Sequence, residues 1–550
     1  MEVTLRRSWF PDVRSLSWGW TSAALLLVAL LSIPILVVAV GAFRPAGDTW
    51  DHIAQNLLPE YLRNTAMLAV AAGSLALVLG LGSAWLVSMC DFPLRRLFRW
   101  ALVLPLAVPA YMAAYTYAGM FDVTGPVQQV VRQVVPGAAD SFVYWHVMRI
   151  EVVALIFGLV FYPYVFLLAR ALLEQRSGRM LEAARLLGRG PWSVFFRVAV
   201  PLARPALSAG LALVLMEILN DYGAVAYYGV TTFTTGIFRA WFSLGDLDTA
   251  IRLSAILMTA VLLLLGLERW QRGSARYDEG GASSRPAARY RLRGFAAAAA
   301  FAFCAMPLLF GFILPVLQLG LWTIQVAPVM AYGELFSLAR NSFLLALGAA
   351  VLCVVVAVVI AYAARLDRSA ITRSASKLAL LGYSIPGAVI AVGVLVAVLS
   401  LGRALGGSGA MLVTGSVAAL VFGYTVRFMA VGYLSVESGF ARVGPSLQAA
   451  SRVLGSAPLR TLLRVEIPLL RRALLAAVTL VFIDVLKELP LTLILRPFNF
   501  DTLATRAFQL ASDEQLAQSA PAALLVIGTA AVVVVLLQTA FEREVAGDRA

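Results

Sequence analysis

The sequence predicts an all-α polytopic membrane protein made of two parallel repeats, and three observations lead to this prediction. Of the 550 residues, 61% are hydrophobic and 13% are charged, which is more apolar than a soluble domain of this size requires. The apolar residues fall in runs of about 20, the length with which a helix crosses a bilayer. In addition, residues 182–258 and 449–525 align without a gap. The chain is therefore predicted to be a duplicated membrane protein with two equivalent polar loops.

The repeated segment preserves glycines, prolines and arginines at fixed spacing. The first copy begins EAARLLGRGPWSVFFRVAVPLARPAL, and the second begins AASRVLGSAPLRTLLRVEIPLLRRAL. The residues shared by the two copies include Arg185/Arg452, Gly188/Gly455, Pro191/Pro458, Arg197/Arg464 and Pro201/Pro468.

The apolar runs predict about twelve transmembrane helices, six in each half of the chain. The predicted spans lie near 21–42, 64–89, 100–121, 147–169, 206–228, 251–268, 295–320, 341–364, 375–399, 410–434, 473–495 and 519–540. Pro105 and Pro109 fall in the third span and Pro386 falls in the ninth, where proline removes a backbone hydrogen bond and kinks a helix.

Charge between the spans predicts the orientation of the chain. With the N-terminus inside, most of the 44 basic residues fall in cytoplasmic segments, as the positive-inside rule requires. Both termini are then cytoplasmic, and an even number of spans per half makes the two repeats parallel. The predicted division is a first half at 1–268, a basic Gly- and Ser-rich linker at 269–294 and a second half at 295–550.

Several function classes are disfavoured by the composition. The net charge of +14 raises nucleic-acid binding as an alternative, but the charge lies between the spans. The three cysteines are too far apart for a metal-cluster motif, and no catalytic cluster of His, Cys or paired carboxylates is evident. Neither Lys377 nor Lys487 belongs to a GxxxxGK[ST] pattern, so a phosphate-binding loop is not expected in this chain.

The two polar loops, at about 172–205 and 437–472, predict a helix–turn–helix bracket on the cytoplasmic surface. Gly188 and Gly455 suit the C-cap of a first helix, and Pro191 and Pro458 suit the first turn of a second. An amphipathic loop resting on lipid headgroups would explain the arginines. A docking surface for two copies of a soluble partner explains both the arginines and the recurring Gly and Pro.

These residues resemble the EAA loop of binding-protein-dependent ABC importer permeases, whose short helix fits a cleft on the ATP-hydrolysing subunit. The resemblance implies a type I ABC importer permease fold, two ATP-binding cassette subunits that carry ATP and Mg, and a periplasmic substrate-binding protein. It implies no cofactor in this chain and a place in the bacterial inner membrane. The sequence departs from the family pattern at Ala449, where the family usually has Glu. The implied coupling residues are Glu182, Ala183, Ala184 and Gly188 in the first loop and Ala450, Ser451 and Gly455 in the second.

Polar residues lie in the later parts of the fifth and eleventh predicted spans, at aligned positions. Asp221 aligns with Glu488, and Lys487 precedes Glu488. Because charge inside a membrane is costly, these three residues are candidates for the translocation pathway or its gate. The alternative is structural: Glu488 pairs with Lys487 or Arg496 and holds helices together.

The stretches DYGAVAYYGVTTFTTGIFRAWF and KELPLTLILRPFNFDTLATRAFQLASDE resemble the iron(III) permease branch of this family. The resemblance implies a permease subunit, not itself an enzyme, that imports ferric iron delivered by the binding protein. Fused permeases for thiamine share much of this architecture, so thiamine or another small solute remains an alternative. A secondary transporter driven by an ion gradient is a further one. The residues alone do not select a metal or its ligands.

Overall fold

The structure is a computed structural model that describes residues 13–45, 47–134, 146–175, 178–272, 289–367, 369–404, 416–444 and 446–547. Most of the predicted linker, namely residues 273–288, and residues 135–145 lie outside the described residues. Within the described part the chain is helical, apart from one parallel pair of two-residue strands, β1 (Cys90–Asp91) and β2 (Tyr290–Arg291).

Twelve described helices correspond to the predicted spans. They are α1 (Val13–Gly41), α2 (Leu58–Met89), α3 (Ala110–Phe121), α4 (Ile150–Gln175), α5 (Val200–Asn220), α6 (Leu247–Arg272), α7 (Leu314–Val326), α8 (Tyr332–Leu366), α9 (Gly387–Ala404), α10 (Val417–Val443), α11 (Ile467–Leu486) and α12 (Leu516–Gly547).

Shorter helical segments connect these twelve. The α-helical ones are Asp48–Asn56, Arg95–Ala101, Pro126–Val134, Gly178–Leu186, Pro191–Val194, Gly223–Tyr227, Phe233–Phe238, Phe295–Leu308, Ala370–Ala379, Leu381–Ser384, Ser446–Val453, Pro458–Thr461, Pro490–Leu495 and Leu503–Ser512. The 3₁₀ turns are Leu104–Ala107 and Ala327–Val329, and the π turns are Phe195–Ala199, Arg239–Ser243, Leu309–Ile313 and Leu462–Glu466.

The number of membrane-spanning helices agrees with the predicted architecture. In the described chain, ten helices are long and apolar enough to cross a membrane, and a bent pair at the third position makes eleven. The remaining candidate, α11, has 20 residues but carries Arg471, Arg472 and Asp484, so it falls outside the apolar set. About twelve spans in an all-α membrane fold are therefore confirmed.

Prolines and polar residues break four of the spans that the apolar runs predict as continuous. The third predicted span bends by 89° between Arg95–Ala107 and Ala110–Val134, where Pro109 precedes α3. The ninth begins as two short helices and continues as α9 only after Pro386. The fifth and eleventh end at Asn220 and Leu486, earlier than predicted. The two repeats therefore break at corresponding places.

Pro201 and Pro205 do not end the helix that follows the first loop. One continuous helix runs from Pro191 to Asn220, and it contains the π turn Phe195–Ala199 just before Pro201. A π turn shifts the hydrogen-bond register, which accommodates the missing N–H of the proline within a helix. The second copy repeats this arrangement with Leu462–Glu466 before Pro468.

The helices pack into two compact units that do not follow the predicted halves. One unit comprises Met1–Arg44 and Arg340–Thr502, so α1 shares a unit with α9 to α11 and packs against α9. The other comprises Pro45–Ala339 and Leu503–Ala550, so α7 and α12 pack with α2 to α6. The boundaries at 268 and 295 describe the repeats of the sequence and stay a prediction.

Close helix contacts hold each unit together. In the first unit, a Cβ at Gly393 of α9 would overlap the backbone carbonyl of Pro34 in α1. In the second, a Cβ at Gly80 of α2 would lie 2.8 Å from the carbonyl oxygen of Tyr162 in α4. Glycine at these positions lets backbones approach closely, which is how helices associate in lipid without a hydrophobic driving force.

Candidate functional site

The first polar loop, Gly178–Pro191, contains a short helix that ends in a Schellman motif. Gly188 adopts a left-handed conformation with φ of +77°. Its N–H donates to the carbonyl of Arg185 at 2.9 Å, and the Arg189 N–H donates to the carbonyl of Ala184 at 3.2 Å. A residue with a Cβ is strained in this conformation. The C-cap predicted at Gly188 is present.

The second polar loop, Ser446–Pro458, repeats this geometry. Gly455 has φ of +80°, and its N–H donates to the carbonyl of Arg452 at 3.0 Å. The Ser456 N–H donates to the carbonyl of Ser451 at 3.1 Å. Both loops therefore turn in the same way after a short helix, and they hold the candidate coupling residues in equivalent places.

The candidate coupling residues lie on these two short helices. In the first loop Ala183 is exposed, whereas Glu182 and Ala184 are half-buried. In the second loop Ala450 is exposed and Ser451 is buried. Glu182 and Ala449 occupy aligned positions, so the carboxylate has no counterpart in the second helix.

The tip of each short helix presents two aliphatic side chains to the outside. Leu187 is 81% exposed in the first loop, and Leu454 is 85% exposed in the second. The neighbouring side chains of Leu186 and Val453 are exposed to a similar extent. These four residues were not among the predicted site residues, although an apolar pair directly before the C-cap glycine in both copies is a readable signal. A pair of exposed aliphatic side chains at the same place in both polar loops is typical of a surface that another protein covers.

The base of the first loop rests on an aromatic cluster. The Arg185 guanidinium lies 3.8 Å from the ring centroid of Tyr290, and its Nε donates to the Tyr290 hydroxyl at 2.8 Å. Trp85 at the end of α2 contacts Tyr290 and Phe195, with centroid separations of 6.4 and 5.1 Å. Tyr290 comes from the final residues of the predicted linker, and the pairing of β2 with β1 holds its backbone.

Cys90 of β1 lies beside this cluster as a free thiol. Burial raises the pKa of the Cys90 thiol to about 11, although the positive charges of Arg185 and Arg95 act in the opposite direction. A thiol with such a pKa stays protonated and unreactive at neutral pH. Cys90 therefore packs here as a small, buried apolar side chain.

The base of the second loop is polar instead. Arg365 donates to Gln448 Oε1 at 3.2 Å and to the carbonyl of Phe440 at 2.7 Å, and its Nε lies 3.6 Å from the fully buried carboxylate of Glu466. Ser451 and Thr461 share a hydrogen bond of 2.9 Å between their hydroxyls. In the first copy the aligned positions are all apolar, namely Leu181, Ala184, Val194 and Ala199. The two loops thus have the same backbone shape, but different side-chain interactions hold their bases in place.

The polar break after α5 is organised by Asp221. Its Oδ1 accepts hydrogen bonds from the backbone N–H groups of Ala224 at 3.0 Å and Val225 at 3.3 Å. Its own carbonyl accepts a hydrogen bond from Thr234 at 2.7 Å. The carboxylate therefore caps the short helix Gly223–Tyr227, a role that favours acidic residues at a helix N-terminus.

Glu488 occupies the equivalent break after α11, and its ion-pair partner is Arg427 of α10. The two side chains are 6% and 8% exposed, and Glu488 Oε2 lies 3.2 Å from Arg427 Nε. Glu488 Oε1 accepts a hydrogen bond from the Leu491 N–H at 3.2 Å, so it caps Pro490–Leu495 as Asp221 caps its own short helix. Gly387 leaves the room for this pair, since a Cβ there would lie 2.5 Å from Glu488 Oε1.

The partners expected for Glu488 from the sequence, Lys487 and Arg496, pair elsewhere. Lys487 lies 3.0 Å from Asp484, one turn earlier on α11, and Arg496 pairs with Asp501 in the following loop. The predicted partners are neighbours of Glu488 along the chain, whereas the break in the helix turns Glu488 towards α10. A charged residue inside the predicted tenth span was the available signal for Arg427.

A cavity of about 260 Å³ opens beside the break after α5. Its lining includes Tyr61, Tyr222, Thr231, Thr235 and Arg239. Hydroxyl donors and one guanidinium make this cavity suited to an anionic group. Among the described residues, no three His, Cys, Asp or Glu side chains are grouped to hold a metal ion.

Comparison with known proteins agrees with this architecture. The family model "Binding-protein-dependent transport system inner membrane component" matches residues 76–268. The Fe(3+)-transport system permease protein FbpB 2 of Haemophilus influenzae is 25% identical over 525 residues, which cover 94% of this chain and 98% of that protein.

Two sulfate transport system permease proteins CysT are 28% identical over shorter regions. The protein from Synechococcus elongatus aligns over 41% of this chain and 78% of its own length. That from Escherichia coli aligns over 46% of this chain and 89% of its own length. These relatives are therefore about half as long as the chain, whereas FbpB 2 matches both repeats. Residues 76–268 therefore match the family of binding-protein-dependent transport system inner membrane components, and the similarity to FbpB 2 extends over both repeats of the chain.

Proposed function

We propose that this chain is the permease subunit of an ATP-driven importer and that each polar loop receives one ATPase subunit. The observation that carries the proposal is the pair of short helices with left-handed Gly188 and Gly455 and with exposed aliphatic tips. Two equivalent tips on one chain suit two copies of one soluble partner. On this proposal both loops and both termini face the cytoplasm, and a periplasmic binding protein delivers the substrate on the opposite side.

We propose ferric iron as the substrate. The support is that FbpB 2, a protein named for Fe(3+) transport, aligns across both repeats and almost all of the chain. Within the pathway we assign Asp221, Lys487 and Glu488 to the polar breaks that the substrate passes. Iron here is cargo that crosses the membrane, so a permanent cluster of metal ligands is not required.

Sulfate is the second candidate substrate. Two CysT proteins resemble one repeat of the chain, and the cavity at Arg239 offers donors suited to an anion. Thiamine and other small solutes, which the sequence left open, receive no comparable support from the structure.

Uptake in cells that lack the chain tests the proposal. Cells with and without a restored copy are given radioactive ferric iron, sulfate or thiamine in parallel. We expect iron uptake to return with the chain and to disappear when the ATPase subunit carries an inactivating substitution. If only sulfate or thiamine uptake returns, that solute is the substrate in place of ferric iron. If uptake does not depend on the ATPase subunit, the proposal of an ATP-driven importer is wrong.

A further inference from the structure

One side chain from the linker reaches the base of the first polar loop. Tyr290 lies only five residues before the helix Phe295–Leu308, which leads into α7. Its hydroxyl accepts a hydrogen bond from Arg185 at 2.8 Å, and its ring lies under the same guanidinium at 3.8 Å. Arg185 belongs to the short helix that ends at Gly188. The linker therefore touches the helix that we assign to ATPase docking.

The position of Tyr290 is set by its surroundings. The register of the two strands pairs Cys90 with Tyr290, and the Leu292 N–H donates to the Asp91 carbonyl at 3.0 Å. Trp85 contacts the Tyr290 ring on one side and Phe195 on the other. Four parts of the chain are thus linked by these contacts: the end of α2, the short loop helix, the π turn before α5 and the linker.

This contact combines two interactions that strengthen each other. A guanidinium stacked over an aromatic ring is attracted by the ring's negative face, more strongly when water is excluded. The hydrogen bond from Nε to the hydroxyl fixes the orientation of the planar group. Arg185 and Tyr290 are both half-buried, so solvent screens their contact only in part.

We propose that Tyr290 is a positioning residue for the first polar loop, holding Arg185 and hence the exposed Leu186–Leu187 tip at a fixed angle for the ATPase. The inference rests on the proposed function and adds a residue outside the repeated segment. It also makes the first loop depend on the linker, because the second loop rests on the Arg365 and Glu466 network instead. Arg452, which aligns with Arg185, provides a matched control.

A double-mutant cycle on the assembled transporter tests this proposal. The variants are Tyr290→Ala, Arg185→Ala and the pair, with Tyr290→Ala/Arg452→Ala as the control pair. They are reconstituted into liposomes with the ATPase subunits and loaded binding protein. We expect each single variant at 290 and 185 to lower the maximal rate of stimulated ATP hydrolysis about tenfold, the scale of one such contact. The pair should lose no more than either single variant.

The control pair and the conservative variant sharpen this expectation. For Tyr290→Ala/Arg452→Ala the two losses should multiply, because those residues belong to different loops. Tyr290→Phe keeps the ring and removes the acceptor, so its loss should be smaller than that of Tyr290→Ala. The KM for loaded binding protein should not change, since that partner docks elsewhere. If the losses in ATP hydrolysis rate also multiply when Tyr290→Ala and Arg185→Ala are combined, the proposal is wrong.

Two measurements separate this inference from other failures. Equal yield and equal elution of the detergent-purified variants on size exclusion exclude simple misfolding. If the loop variant Gly188→Val/Gly455→Val transports normally, the proposed docking function is wrong. If that variant is inactive while Tyr290→Ala keeps the full rate, the docking function stands and only the role of Tyr290 is wrong.

Discussion

At the scale of single residues, two glycines hold the loops in shape. Gly188 and Gly455 have positive φ, and no atom lies within 4 Å of the place where a Cβ would stand. Only backbone strain therefore opposes a side chain at these positions. Gly188→Val with Gly455→Val should cost about 1–2 kcal/mol at each site. We expect uptake to be lost while membrane insertion persists.

The matched control for the valine variant is asparagine. Asn tolerates the left-handed conformation, so Gly188→Asn/Gly455→Asn should keep most of the uptake. Equal loss in the valine and asparagine variants would show that the side chain, and not backbone shape, causes the defect. Uptake rate per purified transporter is the measurement for both variants.

The buried pair of Arg427 and Glu488 gives a second prediction at this scale. Glu488→Ala leaves the Arg427 charge buried without its carboxylate, which typically costs about 3–5 kcal/mol. Arg427→Met/Glu488→Gln removes both charges and keeps an acceptor for the Leu491 N–H. We expect the double variant to regain the thermal unfolding temperature in detergent but not the uptake. Recovery of both would make the pair a packing feature and remove Glu488 from the proposed pathway.

At the scale of elements, the exposed helix tips distinguish docking from folding. Because Leu187 and Leu454 are almost fully exposed, substitution should leave stability within about 0.5 kcal/mol. Leu187→Asp/Leu454→Asp should nevertheless prevent co-purification of the ATPase subunits. Exposed Leu94, which lies outside both loops, supplies the control variant Leu94→Asp. Retained ATPase binding in the loop variant would contradict the docking proposal.

At the scale of the whole molecule, the two halves of the sequence exchange helices. One compact unit takes α1 from the first half, and the other takes α7 and α12 from the second. A fragment of either half therefore lacks helices that its packing requires. We expect fragments 1–280 and 281–550 to be unstable when expressed singly. When expressed together they should co-purify and restore uptake.

Cell fractionation and affinity purification through a tag on one fragment check this expectation. The control is a shorter first fragment, 45–280, which omits α1. It should fail to stabilise the second fragment, because residues 340–502 then lack their packing partner. Stable, active second fragments without α1 would show that the exchange is not needed for folding.

The sequence by itself determined the fold class, the two repeats and the local shape of the loops. Spans are readable because lipid demands long apolar helices, and Gly188 is readable because left-handed backbone favours glycine. Contacts between segments distant in sequence were decided by tertiary structure. Arg427 replaces Lys487 and Arg496 as the partner of Glu488 because a helix break reorients the carboxylate. Tyr290 and the exchange of α1 and α7 depend on packing at long range, which local periodicity does not encode.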